Sequence, residues 1–131
     1  MSELHKFMFD GLPVRGAIVR LTGAWVEVLQ RRAANSTTGA YPVALQHLLG
    51  EMVAAGVLMQ SNIKFDGALV LQIQGDGPVK LAVAEVNADL SLRATATVNG
   101  GVDEASTLSQ MVNVNNLGRC AIKYLGRRKT K

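Results

Sequence analysis

The chain has 131 residues, 48% hydrophobic and 18% charged, which is enough to bury one domain core and excludes a disordered chain. Its single cysteine, Cys120, excludes an intrachain disulfide and points to a reducing cytoplasm. The net charge of +4 excludes less than it suggests, because residues 1–118 carry eight basic against ten acidic side chains, a net −2.

The N-terminal stretch Met1–Asp10 holds acidic Glu3 and Asp10 and lacks an apolar block of signal-peptide length. Val14–Leu21 is rich in apolar and β-branched residues and follows the turn formers Gly11 and Pro13, so a strand is predicted there. Thr22 is placed to cap a helix over about Ala24–Ala34, where Trp25, Val28 and Leu29 share one face. Asn35–Gly39 offers the backbone side-chain hydrogen bonds in place of helical ones and reads as a loop. Pro42 opens a second helix to about Gln60, with Leu45, Leu48, Leu49, Met52 and Val53 as its buried stripe. No run approaches the roughly 18 apolar residues of a membrane helix.

A strand meander follows. Leu69, Leu71 and Ile73 alternate with Val70, Gln72 and Gln74, and Val79, Leu81 and Val83 alternate with Lys80 and Ala82. Leu90, Leu92, Ala94, Ala96 and Val98 repeat the pattern. Gly75, Asp76, Gly77 and Pro78 form a structural turn between the first two strands, the glycines supplying backbone conformations closed to other residues. Asn87–Asp89 and Asn99–Gly101 make the later turns. Residues 119–131 then hold six basic groups (Arg119, Lys123, Arg127, Arg128, Lys129 and Lys131) and no acid. The chain is accordingly divided into a body, 1–118, and a divergent basic tail, 119–131, whose Arg127-Arg-Lys129 cluster is expected as a solvated, frayed terminus. The predicted class is α+β: a mainly antiparallel sheet covered by two amphipathic helices.

Several motifs stand in order along the body. Phe7-Met-Phe9 precedes Val14, Arg15 and Gly16; Tyr41-Pro42 precedes Leu48-Leu-Gly-Glu51; Lys64, Phe65, Asp66 and Gly67 precede Gln74 and the Gly75–Pro78 turn, with Leu92-Arg93-Ala94 beyond. From about Leu4 to Ile122 the sequence resembles the N-terminal domain of the heat-shock protein 33 family of redox-regulated bacterial holdase chaperones. The resemblance implies a protein that binds unfolded clients by apolar contact, uses no ATP and performs no turnover. It also implies a zinc site of four cysteines in a CxC…CxxC pattern. Those cysteines have no counterpart here, so no cofactor is expected, and the sequence after Ile122 reads as a truncated or frameshifted continuation.

Other chemistry is sparse. His5 and His47 lack paired metal-ligand spacing, and Cys120, beside Ala121 and Ile122, reads as a buried, inert thiol. Met52 and Met59 read as core. Glu51 and Asp66 have no nucleophile–base spacing around them, so no catalytic residues are assigned and an enzyme is not expected. The Arg127-Arg-Lys129 cluster lacks interleaved aromatics apart from Tyr124, so no nucleic-acid partner is expected, nor a membrane. Two functions remain: a holdase-type domain whose client-binding surface is unassigned, and a non-catalytic domain that pairs sheet edges into a homodimer.

Overall fold

The computed structural model describes residues 2–35, 39–63 and 66–126. Within them lie β1 (Glu3–Met8), β2 (Arg15–Arg20), α1 (Gly23–Ala33), α2 (Val43–Ser61), β3 (Gly67–Gln74), β4 (Val79–Val86), β5 (Leu92–Val98), α3 (Leu108–Val112) and β6 (Arg119–Gly126). β1 and β2 form an antiparallel hairpin, and the remaining strands form an antiparallel sheet in the order β5-β4-β3-β6. The class is α+β, as the residue patterns imply.

The core forms where α2 crosses the sheet. The predicted stripe is buried, and Ala44, Gly56 and Val57 join it, giving two adjacent rows of side chains at i, i+4 spacing. Facing them are Leu71, Ala82, Ala84, Val86 and Ala96. The helix's own Gly56 lets it lie close to β4: a Cβ there would sit 3.0 Å from Val86 Cγ2. Against expectation, α2 is long and apolar enough to cross a membrane by length and composition. Nine of its 19 residues are buried inside this domain, so that apolarity is used by the core.

Three local predictions are corrected. Thr22 stands at the start of α1, yet its hydroxyl is buried without a partner. Ser2 Oγ instead accepts the N–H groups of Thr22 and Ala24. On β4 the buried residues are Val79, Ala82, Ala84 and Val86, not Leu81 and Val83. A bulge between Val79 and Leu81 shifts the register against β5 by one residue, which exchanges the two faces of the strand. Finally, the meander gains a strand from the basic tail: residues 119–126 form β6, which pairs with β3 from Gly67↔Gly126 to Gln74↔Arg119, while the Arg127-Arg-Lys129 cluster lies outside the described residues.

The two edges of the four-stranded sheet differ. At β5, the Tyr41 hydroxyl accepts the Ala96 N–H at 3.0 Å, and Val28 and Arg31 of α1 lie beside Leu92–Thr95. Tyr41 is held in turn by the Arg32 guanidinium, stacked 4.0 Å from its ring centroid. At β6, no strand pairs with the outer edge among the described residues.

Candidate functional site

Two apolar surfaces lie outside the core. The first is one face of the β1–β2 hairpin. Its register places Phe7 opposite Gly16 and His5 opposite Ile18, and the Phe9 N–H donates to the Val14 carbonyl, so Phe7, Phe9, Val14 and Ile18 share one side. A Cβ on Gly16 would meet Phe7 Cζ at 2.4 Å, so the ring rests directly on the glycine backbone. Phe9 meets Phe7 edge to face, with centroids 5.9 Å apart. All four apolar residues are exposed, Ile18 by 62%. The opposite face anchors the hairpin: Leu4 and Val19 pack on the core, and Lys6 Nζ donates to the Ser61 carbonyl at the end of α2. A two-stranded hairpin needs such an anchor, since alone it is marginal in water.

The motif residues Val14, Arg15 and Gly16 thus form the return of the hairpin and the start of β2, with Gly16 as the floor for Phe7. Of the second motif, Lys64 and Phe65 lie outside the described residues; Asp66 is exposed, and Gly67 begins β3 opposite Gly126.

The second surface is β6, exposed along all eight residues. Its register puts Cys120, Ile122 and Tyr124 on the same side as Ile73, Leu71 and Leu69, the side that α2 covers further into the sheet. Arg119, Ala121, Lys123 and Leu125 share the other side. Cys120 is therefore exposed rather than buried as expected, because the helix cover does not reach this edge.

Gly75, Asp76, Gly77 and Pro78 connect β3 to β4 beneath α3. Neither glycine has a positive φ, so backbone freedom is not what requires them. Space is: a Cβ on Gly75 would sit 2.0 Å from the Val79 carbonyl oxygen, and one on Gly77 would sit 2.6 Å from that of Met111. Asp76 does more than turn the chain. Its carboxylate accepts the N–H groups of Val114 (2.7 Å), Asn115 (2.9 Å) and Leu117 (3.0 Å), the loop that leads into β6. Desolvation raises the pKa of this carboxyl, but the bonds from Leu117, Asn115 and Val114 together outweigh it and hold the group below its ordinary value. Sequence order gave no sign of this contact, because the carboxylate and its donors lie about 40 residues apart.

Glu51 and Asp66 are not brought together: Glu51 lines a cleft with Glu104 and Met111, and Asp66 lines another with Glu85 and Asp89. His5 and His47 are both exposed.

The model of the Hsp33 protein family matches residues 2–129, which includes β6. The chain belongs to the Hsp33 family. Among curated relatives, the 33 kDa chaperonin of Chromobacterium violaceum is 57% identical over 102 residues, 78% of this chain and 32% of that protein. The 33 kDa chaperonin of Shewanella frigidimarina is 44% identical over 108 residues, 82% of this chain and 35% of its own length. That of Neisseria meningitidis is 43% identical over 91 residues, 70% and 28% respectively. The chain therefore spans about a third of the length of these Hsp33 relatives. The four-thiolate zinc site implied by the Hsp33 resemblance does not fit these residues: they contain one thiol, on an exposed strand. Among the described residues no group of three or more His, Cys, Asp or Glu side chains is placed to hold a metal.

Proposed function

We propose that this chain is an ATP-independent holdase domain that binds unfolded polypeptides in the bacterial cytoplasm and catalyses no reaction. One observation carries the reading beyond family membership: Phe7, Phe9, Val14 and Ile18 form an exposed apolar strip on one face of a hairpin anchored by its other face. Exposed, contiguous apolar surface of this kind suits contact with the apolar segments of an unfolded client. A zinc–thiolate redox switch is no part of the proposal, since one thiol cannot assemble it.

The test is suppression of thermal aggregation of a model client under fully reducing conditions, followed by light scattering. Stoichiometric wild-type chain is expected to suppress scattering, and Phe7→Ala/Ile18→Ser is expected to weaken suppression several-fold while leaving the circular dichroism spectrum unchanged. Absence of suppression by the wild-type chain overturns the reading. A second reading, a non-catalytic domain that dimerises through sheet edges, is favoured by the edge of β6, which is unpaired among the described residues. Self-association without suppression would support it instead.

A further inference from the structure

We infer that the outer edge of β6 takes up an extended client segment as an added strand, and that it favours segments in which apolar residues alternate with acidic ones. The inference rests on the holdase reading and names the surface and the client chemistry. The alternative edges are less suited. At β5, Tyr41 occupies the Ala96 N–H and α1 flanks the strand. The hairpin edges are shorter, with six residues per strand against eight in β6. β6 offers a main-chain hydrogen-bonding edge that is unpaired among the described residues and continuous with the core sheet, and every one of its residues is exposed. An edge of that kind is a template for another strand.

The side chains of β6 specify the occupant. On the helix side, Ile122 lies between Cys120 and Tyr124, so an added strand places apolar residues beside it and extends the core face. On the other side Arg119 and Lys123 stand four residues apart with Ala121 between them, and the sequence from 119 onward contains no acidic residue. Acidic residues four apart on the incoming strand meet both cations. A second copy of this chain would bring its own Arg119 and Lys123 to the same face, and like charges across strands are unfavourable. Charge complementarity thus selects an acidic–apolar segment over self-pairing.

The experiment uses the full chain and two fluorescent heptapeptides, Val-Glu-Val-Thr-Val-Glu-Val and Val-Lys-Val-Thr-Val-Lys-Val, whose palindromic order makes strand direction immaterial. Anisotropy is expected to show the acidic peptide bound about three- to tenfold more tightly. Arg119→Glu/Lys123→Glu is expected to invert that preference. An acidic peptide N-methylated at alternate residues keeps its charge but cannot complete the ladder, and it is expected to lose binding. Equal binding of the N-methylated peptide would overturn strand addition and leave only attraction to the basic segment. Equal binding of the two peptides, or self-association that blocks both, would overturn the assignment as well. Holding of a denatured client is scored in parallel by light scattering. Client holding without peptide capture sinks the edge assignment alone; capture without holding sinks the holdase reading alone; neither sinks both.

Discussion

Asp76 joins two segments 38 residues apart in sequence through a carboxylate that accepts three backbone N–H groups. Because these bonds favour the charged form, the folded-state pKa lies below the ordinary value of 3.8. The stabilisation is therefore present above about pH 3.8 and is lost as the pH falls through the lower folded-state value. Asp76→Asn is expected to lower the urea midpoint at pH 7 and to flatten the acid limb of the stability profile below pH 4. An acid limb as steep as that of wild type would show that other carboxylates govern it. The Gly-Asp-Gly-Pro turn was legible from composition, but the reason for its residues was not. Gly75 and Gly77 are required by carbonyl oxygens of β4 and α3, and Asp76 by a loop that follows α3; no local pattern encodes such neighbours. The same holds for Ser2, which caps α1 from 20 residues upstream in place of Thr22.

Among the elements, α2 was the most legible, since a long apolar stripe at helical spacing has few other uses. Leu49, in its N-terminal half, is fully buried. Leu49→Ala is expected to cost about 3–5 kcal/mol, measured by urea denaturation, because the cavity is lined by a sheet that cannot collapse onto it. A cost near 1 kcal/mol would mean that α2 shifts to fill the space. Strands were harder. The meander β3–β4–β5 is legible in its alternation, but the bulge in β4 moves the buried set by one residue without changing composition, so alternation alone puts Leu81 and Val83 on the wrong face. Periodicity does not mark β1, because His5 and Lys6 break its alternation; only the resemblance of Phe7-Met-Phe9 to the family's opening strand region points to a strand there. β6 is hidden by charge: Arg119 and Lys123 belong to an exposed strand face, so the paired strand reads as part of the basic tail. The candidate surfaces share this difficulty. Periodicity identifies a face, but the same apolar residues line a core or an open strip, and only the placement of α2 separates the two.

At the scale of the whole molecule, the single thiol makes redox behaviour easy to test. Cys120 is exposed and stands alone, so oxidation cannot close a disulfide within this chain. Client holding by the wild-type chain is expected to be unchanged by chelator, and Cys120→Ser is expected to hold client equally with and without peroxide. A peroxide-dependent gain in the Cys120→Ser variant would place control of activity somewhere other than thiol chemistry. The strand order has a further consequence, in time rather than in space. β3 lies between β4, which follows it directly, and β6, whose last pairing partner Gly126 comes 59 residues after Gly67. During synthesis at about 5–20 residues per second, one side of β3 is zipped to β4 once Val86 is made, while the other waits a further 40 residues, roughly 2–8 seconds, for β6 to emerge. For that interval the nascent chain itself displays an apolar strand with a bare side, so on the proposed reading the domain passes, while it is being made, through the condition it would relieve in its clients.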